Sequence, residues 1–267
     1  MSISSSLSQS QLKYFRSLQQ KKYRTQHKAF IVEGEKMVKE ISRDEKTYLE
    51  VIRILAVKDF FEENTDILTK HDCLIASSKD IEKISSQSSP GRVVMEVKIP
   101  DYLLDQSELG EELNIYFESI RDPGNLGTII RTADWFGFNK IICSPDSVDV
   151  YNPKVIQSTM GSIARVKVFY RESKEIIEMT SKGTLFQNLG TVLGGENIYE
   201  LKFPDKGMIF FGNESNGLST NIKESCQNQI GIPGAKTEPG PESLNLATSV
   251  GIVLSELNRQ KLLKMKI

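Results

Sequence analysis

Apolar and polar residues alternate along the chain with two distinct periods. Short β-branched or apolar runs predict strands at 51–57, 74–76, 93–99, 115–117, 140–143, 165–170, 184–186, 208–211 and 229–232. Runs with helical spacing predict helices at 12–18, 37–41, 126–136, 155–160, 174–180, 219–226 and 244–263. Regular alternation of strands and helices is typical of an α/β fold with a mostly parallel, Rossmann-like sheet.

A shift in composition divides this alternation into two parts. Residues 100–112 begin with Pro100 and contain five acidic residues and Gly110, which is typical of a linker. From Leu113 onward the predicted strands are more apolar than before. We therefore predict a smaller α/β domain at 1–99, an acidic linker at 100–112 and a second domain at 113–267.

Charge is balanced over the whole chain but not at its beginning. The 267 residues hold 34 basic and 35 acidic side chains, so no global field attracts nucleic acid. Residues 1–32 hold six basic residues and no acidic one. A solvent-facing helix and an RNA- or DNA-contacting helix both fit this run. The candidates for RNA contact are Lys21, Lys22 and Arg24.

The rare residue types argue against several classes of protein. The three cysteines, Cys73, Cys143 and Cys226, are far apart, and the only histidines are His27 and His71. This pattern fits neither a disulfide framework nor a zinc site, so we expect no metal. No run approaches the roughly 20 apolar residues of a membrane span, and the first ten residues lack the apolar core of a signal peptide. We therefore expect a cytoplasmic protein that does not bind membranes.

Candidate chemistry follows three strands of the second domain, where ligands bind in open α/β sheets. The first segment, 121–133, contains a turn with two glycines, Asn125, and Arg131 within an otherwise apolar helix. Such a turn suits a phosphate, whereas the missing G-x-G-x-x-G spacing makes an NAD-binding enzyme a weak competitor. Taken alone, Asn125 could equally cap the helix, and Arg131 could simply extend its charge to solvent.

Two further segments repeat the arrangement of a strand followed by a polar loop. Residues 210–219 place Glu214 in a loop of small residues between Gly212 and Gly217. Residues 232–246 form a glycine- and proline-containing loop that leads into the last helix. Capping by Ser219 and Ser243 is the simpler interpretation of these loops. It does not explain the length of the third loop.

Together the three segments resemble the motifs of the SpoU/TrmH-type 2′-O-ribose RNA methyltransferases of the SPOUT superfamily. The first motif, N-x-G-x-x-x-R-T-A, is met by Asn125, Gly127, Arg131, Thr132 and Ala133. The second is met by Gly212, Asn213, Glu214, Gly217 and Leu218, and the third by Ile232, Pro233, Ser243, Leu244 and Asn245. The N-terminal part, with residues 21–24 and 30–35, is similar to the L30e-like substrate-binding domain of that family.

This resemblance implies a trefoil-knotted second domain, S-adenosylmethionine as the methyl donor and an RNA ribose 2′-hydroxyl as the acceptor. It assigns the catalytic site to Arg131, Asn125, Glu214, Ser243 and Asn245. It assigns cofactor contacts to Gly212, Ile232, Leu244, Asn213 and Pro233. Arg131 would act either as a base or as a charged clamp on the developing alkoxide, and the sequence does not choose between these roles.

The resemblance also implies a homodimer, and the separate N-terminal domain favours ribosomal over transfer RNA. The competing hypothesis is a non-catalytic RNA-binding protein of the same fold. Two positions depart from the family pattern. Ser215 replaces a glycine, so we expect Asn216 to adopt the positive φ of that turn, and the loop 234–241 is longer than usual. The apolar stripe of Val250, Val253, Leu254 and Leu257 is expected to face the core or a partner.

Overall fold

The computed structural model describes residues 7–44, 47–180, 186–235 and 242–265. Contacts between Cα atoms divide the chain into two compact units. The first contains Met1–Tyr102 and Asp149–Arg165, and the second contains Leu103–Val148 and Val166–Ile267. The second unit is thus interrupted by a segment that packs with the first, which the sequence pattern did not predict.

The N-terminal part of the first unit contains six helices and four strands within the described residues. They are α1 (Gln9–Ser17), α2 (Lys21–His27), β1 (Ala29–Glu33), α3 (Glu35–Arg43), β2 (Val51–Ala56), α4 (Lys58–Glu63), α5 (Thr65–Leu68), β3 (Cys73–Ile75), α6 (Ser78–Ile84) and β4 (Val93–Lys98). The strands form a mixed sheet in the order β1-β4-β2-β3, in which only β2 and β3 pair in parallel. The predicted strands 51–57, 74–76 and 93–99 are confirmed to within one residue at each end.

Helix α1 covers one side of this sheet because its apolar residues recur at helical spacing. Leu12, Phe15 and Leu18 are all buried in the core of the unit. The helix begins at a capping box, in which the Ser8 hydroxyl accepts from the Gln11 amide and the Gln11 side chain accepts from the Ser8 amide. Helix α6 is capped by Ser77, whose hydroxyl accepts from the Asp80 amide at 3.2 Å.

The second part of the chain supplies the remaining elements. In chain order they are α7 (Gln106–Leu109), β5 (Leu113–Phe117), α8 (Pro123–Trp135), β6 (Lys140–Cys143), α9 (Pro153–Thr159), a 3₁₀ turn (Ser162–Ala164), β7 (Lys167–Tyr170), α10 (Ser173–Thr180), β8 (Gln187–Asn197), β9 (Gly207–Phe211), α11 (Thr220–Ser225), β10 (Asn228–Gly231) and α12 (Leu246–Lys264). Of these, α9 and the 3₁₀ turn belong to the first unit.

Three contacts hold the inserted segment 149–165 within the first unit. The Arg24 guanidinium donates to the Asp149 carboxylate at 2.7 Å. The rings of Phe30 and Tyr151 lie with their centroids 4.7 Å apart. Arg165 pairs with Glu40 at 2.8 Å. The alternation of strands and helices does not report such an insertion, because each element keeps its own periodicity whichever unit it packs with.

The second unit is built on a parallel sheet. Within the described residues, six strands lie in the order β10-β8-β9-β5-β6-β7, and every neighbouring pair is parallel. The central strands β5 and β9 are buried along their whole length, as expected for a sheet that is covered on both faces. The carboxyl ends of these parallel strands therefore meet at one edge, where the three predicted polar loops begin.

Helix α12 contributes its apolar stripe to the core of this unit. Val250, Val253, Leu254 and Leu257 are each no more than 2% exposed. Of the two expectations for the stripe, burial in the core is therefore the correct one. Helix α12 also packs on α8, where the methyl group of Thr132 lies near Gly251.

Strand β8 was largely missed by the sequence pattern. It runs from Gln187 to Asn197 and pairs with both β9 and β10. Its glycines and polar residues give little β signal. A Cβ on Gly195 would lie 2.6 Å from the Ile230 carbonyl carbon, so close backbone contact explains this glycine. The strand predicted at 184–186 lies outside the described residues except for Phe186, which precedes β8.

The predicted α/β fold with a mostly parallel sheet is confirmed. The remaining helices and strands of the second unit lie within three residues of their predicted bounds. Part of the acidic stretch 100–112 forms the single turn α7. The trefoil knot and the boundaries 1–99, 100–112 and 113–267 stay predictions.

Candidate active site

The first polar loop enters α8 through an aspartate cap. The Asp122 carboxylate accepts from the Asn125 amide at 2.8 Å, and Pro123 occupies the first helical turn. The alternative that Asn125 itself caps the helix is therefore wrong. Because Asp122 fills that role, the side-chain amide of Asn125 is available for other partners.

Asn125 joins the three loops through its side chain. Its Nδ2 donates to Glu214 Oε1 at 2.5 Å, and its Oδ1 accepts from Asn245 Nδ2 at 2.9 Å. The Asn245 Oδ1 in turn accepts from the amide of Thr248 at 3.3 Å. We refer to Glu214, Asn125 and Asn245 as the polar relay. Three predicted catalytic residues, separated by up to 120 positions in sequence, are thus hydrogen-bonded to one another.

The direction of the relay follows from the donors and acceptors available. An ionised carboxylate only accepts, so the NH2 group of Asn125 must point to Glu214. Its carbonyl oxygen then faces the NH2 group of Asn245. The side-chain oxygen of Asn245 then accepts a hydrogen bond from the backbone amide of Thr248, in the first turn of α12. Each amide orientation is therefore fixed by its neighbour, and the order of donors runs from the helix end toward the carboxylate.

Asn245, not Ser243, is the N-cap of α12. Ser243 and Leu244 precede the cap and are exposed, with Leu244 46% exposed. The simpler interpretation of Ser243 as the capping residue was therefore wrong. Of the long loop 234–241, only residues 234 and 235 lie within the described residues.

The second loop is closed by a backbone bridge. Asn213 and Gly217 exchange two backbone hydrogen bonds, at 3.2 and 2.8 Å, and the Asn213 side chain accepts from the amides of Ser215 and Asn216. Gly217 has a φ of 64°, whereas Asn216 is not among the residues with positive φ. The expectation for Asn216 was therefore wrong, because Gly217 provides the left-handed residue and Ser215 fits as an amide donor.

Gly212 is required by this bridge. A Cβ at Gly212 would lie 2.2 Å from the carbonyl carbon of Gly217 and 2.4 Å from the Leu218 amide nitrogen. No side chain fits such a separation, so the motif glycine has a direct steric cause. The bridge holds Glu214 at the tip of the loop, where it meets Asn125.

Arg131 lies on the exposed face of α8. Thr128, Arg131 and Trp135 recur on one side of the helix and are all exposed, while Ile129, Ile130 and Ala133 are buried. Within the described ranges, Arg131 forms no hydrogen bond or ion pair. The structure thus joins Asn125, Glu214 and Asn245, and it leaves Arg131 and Ser243 outside the relay.

Sequence reasoning missed Glu118 and Ser119, which connect the end of β5 to the second loop. The Glu118 carboxylate accepts from the Ser219 amide at 2.7 Å, and the Ser119 carbonyl accepts from Asn213 Nδ2 at 2.8 Å. Ser219 begins α11 without capping it through its side chain. Ser119 has a φ of 56°. No local pattern signals a serine in this conformation, so these contacts had no detectable sequence signature.

Asp146 supports the same corner of the site. It accepts from the hydroxyls of Ser119 and Ser144 at 2.6 and 2.5 Å. Burial alone would raise the pKa of the Asp146 carboxyl, but these hydrogen bonds outweigh burial and lower the pKa below its ordinary value. Asp146 is therefore a charged acceptor that fixes the Ser119 turn at neutral pH.

The residues of the three loops are suitable for binding S-adenosylmethionine. Ile232 is half-buried and Leu244 is exposed, which leaves apolar surface at the carboxyl edge of the sheet. Gly212 lets the backbone of the second loop approach closely. Asn213 is half-buried and engaged in its own loop, and Pro233 is exposed. Apolar surface beside exposed backbone fits a cofactor with an adenine ring and polar edges.

The predicted RNA-binding residues of the first unit fall into two groups. Lys21 and Lys22 are exposed at the beginning of α2, and the Lys22 ammonium lies 5.8 Å from the centroid of the Tyr23 ring. Arg24 is only 3% exposed and donates to Asp149 and to the carbonyls of Leu18 and Gln19. Its burial contradicts the prediction that Arg24 contacts RNA.

No group of three or more His, Cys, Asp or Glu side chains among the described residues is placed to hold a metal ion. Among the helices in the same ranges, none is both long and apolar enough to cross a membrane.

Similarities to known proteins agree with the geometry. Residues 112–255 match the model of the SpoU rRNA Methylase family, and residues 9–95 match an MRM3-like substrate binding domain. The chain is 26% identical over 248 residues to the 23S rRNA (guanosine(2553)-2′-O)-methyltransferase RlmP of Bacillus subtilis, covering 92% of this chain and 95% of that protein. It is 32% identical over 188 residues to an uncharacterized tRNA/rRNA methyltransferase of Synechocystis, with 70% of this chain and 67% of that protein covered.

Solved structures match over nearly the whole chain. An AdoMet-bound rRNA methyltransferase from Sinorhizobium meliloti has a TM-score of 0.80 and 26% identity, with 96% of this chain and 97% of that chain covered. A TrmH-family protein from Porphyromonas gingivalis has a TM-score of 0.83 and 28% identity, with 95% and 99% covered. The resemblance inferred from the motifs is confirmed. Since the family model covers more than half of its residues, this chain belongs to the SpoU rRNA methylase family.

Proposed function

We propose that this protein transfers a methyl group from S-adenosylmethionine to a ribose 2′-hydroxyl of ribosomal RNA. The observation that carries this proposal is the polar relay, which joins residues of the three family motifs through Asn125 on α8, the helix that also carries Arg131. Family membership and the AdoMet-bound relative support the choice of cofactor. RlmP, which aligns over 92% of this chain, supports ribosomal RNA over transfer RNA.

The reaction requires an oriented hydroxyl and a place for its proton. S-adenosylmethionine, when bound, supplies an electrophilic methyl group on a sulfonium. As the 2′-oxygen forms its bond to the methyl carbon, the bond between carbon and sulfur breaks and its electron pair stays on sulfur. The hydroxyl proton leaves to solvent or to a neighbouring acceptor. Negative charge develops on the 2′-oxygen to the extent that this proton leaves before the bond to carbon is complete.

Arg131 is suited to stabilise that charge. A guanidinium stays protonated in proteins, so it is a poor base and a good donor to an oxyanion. Arg131 lies on the exposed face of α8, where an RNA chain can reach its N–H donors. We therefore assign Arg131 the clamp role, with two or more N–H groups directed at the 2′-oxygen and an adjacent phosphate.

The polar relay positions the nucleotide. Asn125 and Asn245 present amide edges with fixed orientation, and Glu214 accepts at the far end. A ribose hydroxyl that replaces one of these contacts meets a defined donor or acceptor. Gly212, Ile232 and Leu244, with Asn213 and Pro233, form the proposed cofactor side, and Ser243 stays a proposed polar contact. We also propose that the protein acts in the cytoplasm, because RlmP, which aligns over 92% of this chain, is an enzyme of a bacterium, Bacillus subtilis.

We also propose that the protein acts as a homodimer. The exposed side of α12 carries Thr248, Gly251, Ile252 and Ser255, which with Tyr199 line an open groove of about 520 Å³. Small side chains let a second helix approach closely, and Ile252 with the half-exposed Tyr199 provides apolar contact. Light scattering at micromolar concentration should give the mass of two chains, and an Ile252→Asp variant should give one.

Methyl transfer tests the main proposal. Purified protein is incubated with tritiated S-adenosylmethionine and total RNA, and labelled nucleotides are mapped as 2′-O-methyls. Label in 23S rRNA is the expected result. Cofactor binding by calorimetry with no label in any RNA would instead favour the non-catalytic RNA-binding alternative. Label in transfer RNA alone would overturn the choice of ribosomal RNA.

A further inference from the structure

Trp135 is the most exposed large aromatic residue described in the structure. It ends α8 with 85% of its surface exposed, and it is the only tryptophan in the chain. Tryptophan is mostly buried in folded domains, so an indole with this exposure is a candidate contact for a ligand. None of the three motifs includes it, and it takes no part in the polar relay.

The position of Trp135 relates it to the site. It lies four residues after Arg131, so the two side chains share one face of α8 and are separated by about 6 Å along the helix axis. Thr128 continues the same exposed face one turn earlier. Arg131 must reach the methylated ribose if the proposed function is right. Whatever lies against Arg131 therefore passes next to the indole.

The charge around Trp135 favours a polyanion over an apolar partner. Arg131 carries a positive charge with no ion pair inside the described ranges. Lys261 lies 5.4 Å from the ring centroid of Phe138, just beyond the end of α8. The one acid nearby on the helix, Asp134, is half-buried and already engaged in an interaction. A protein surface would have to bury the Arg131 charge, at a high desolvation cost, whereas RNA would pair it with phosphate.

We propose that Trp135 is a stacking platform for an unpaired base of the RNA beside the methylated ribose. This inference rests on the proposed function. Proteins that recognise unpaired RNA commonly stack its bases on aromatic rings, and replacing such a ring with alanine weakens the binding of RNA. Arg131 would hold the ribose and phosphate of the nucleotide, and the indole would hold its base or the neighbouring base. Trp135 is thus a positioning residue, not a catalytic one.

The unmodified protein provides the first test, because a single tryptophan gives all of its indole fluorescence. A short mixed-sequence single-stranded RNA should quench this fluorescence in a saturable way, while S-adenosylmethionine alone should leave it nearly unchanged. Emission should not depend on protein dilution in the absence of RNA. A blue-shifted emission that moves to longer wavelength on dilution would mean that a second copy covers Trp135, and the inference would be overturned.

Variants separate positioning from folding. Trp135→Ala should raise the KM for RNA about 10-fold, as expected for loss of one stacked base, with a smaller change in kcat. Trp135→Phe should restore most of the affinity. Leu263→Ala, which removes an apolar side chain that is 51% exposed, is the matched control and should change neither parameter. Light scattering of Trp135→Ala should match that of the unmodified protein.

The outcomes distinguish this inference from the function on which it rests. Normal methyl transfer with an unchanged KM in Trp135→Ala would overturn the stacking role and leave the proposed function intact. RNA that quenches the indole without ever being methylated would support the stacking contact and count against the proposed function. Conversion of Trp135→Ala to a monomer would assign the side chain to a protein interface and overturn the inference.

Discussion

The motif loops of the second unit and the basic segment of the first were both predicted from sequence, with different success. In the loops, Asn125, Glu214 and Asn245 form one hydrogen-bonded relay across 120 positions. In the basic segment, three neighbouring residues separate: Lys21 and Lys22 face solvent, whereas Arg24 is buried against Asp149. Charges that are adjacent in sequence therefore lie in different environments.

The difference has a physical cause. Each motif residue follows a strand of a parallel sheet, and the carboxyl ends of such strands meet at one edge whatever the sequence distance between them. A charge count carries no comparable geometric constraint. Helical spacing does not separate these residues either, since Arg24 lies three positions after the exposed Lys21 and is nevertheless buried. The charge total of residues 1–32 could therefore not distinguish a surface lysine from a structural arginine.

The largest effect is expected at Arg131, which tests whether the first motif takes part in methyl transfer. Arg131→Ala should lower methyl transfer by at least ~10²-fold, the usual loss when one group that acts in the transition state is removed. Cofactor affinity and the unfolding midpoint should hardly change, because the side chain is exposed and forms no hydrogen bond or ion pair with the residues that the structure describes. Tritium transfer and calorimetric titration of S-adenosylmethionine measure the two effects.

Arg131→Lys serves as the companion variant. It keeps the charge but loses the planar donor fork, so it should also be severely impaired. Near-normal turnover by the alanine variant would exclude Arg131 from the chemistry. Arg131 would then only extend its charge to solvent, which is the alternative that the sequence left open.

Arg24 gives the corresponding test for the basic segment. Arg24→Ala should lower the free energy of unfolding by about 3 kcal/mol, because it leaves Asp149 and two carbonyls without their buried partner. Chemical denaturation measures this. Lys21→Ala should be almost neutral in the same assay. If Arg24→Ala is fully stable and loses only RNA affinity, then Arg24 contacts RNA and the structural role assigned to it is wrong.

The fold was more predictable than the details of the site. Apolar strands such as Gly207–Phe211 can be predicted from the sequence, because both of their faces are buried and the run is therefore continuously apolar. Strand Gln187–Asn197 does not, since glycine at 195 is selected by backbone contact with Ile230 and not by β propensity. The inserted segment 149–165 was equally hidden, because its contacts with Arg24 and Phe30 join residues more than 100 positions apart.

Within the site, the motifs predicted which residues meet but not how. The sequence offered Asn125 and Ser243 as caps, and the structure gives those roles to Asp122 and Asn245. The distinction depends on which side chain reaches the free amides of the helix end, and one residue of register decides it. The left-handed turn at Ser119 had no sequence signature, because its conformation is imposed by Ser144, Asp146 and Asn213.

A loss of activity of intermediate size is expected from variants of the polar relay. It tests whether the hydrogen bonds between the motif loops act as one network. Asn125→Ala and Asn245→Ala should each lower methyl transfer by about 10-fold, since each breaks the same chain of hydrogen bonds. The double variant should lose little more than the worse single variant, because residues that share one network are not additive. Single-turnover kinetics with saturating cofactor measure the coupling. Independent losses that multiply would show that the two amides act separately.

The smallest effect is expected at Lys21 and Lys22, where it tests whether the exposed half of the basic segment contacts RNA. Replacing both with alanine should weaken RNA binding several-fold and reduce the slope of log affinity against log salt by ~0.7 for each lost phosphate contact with single-stranded RNA. Lys98→Ala is the matched control, because Glu50 already neutralises that ammonium at 2.7 Å. Cofactor affinity should stay constant in all three proteins. A salt slope that is unchanged in the double variant would mean that these lysines only keep the surface of α2 hydrated, and RNA contact would then have to come from elsewhere in the molecule.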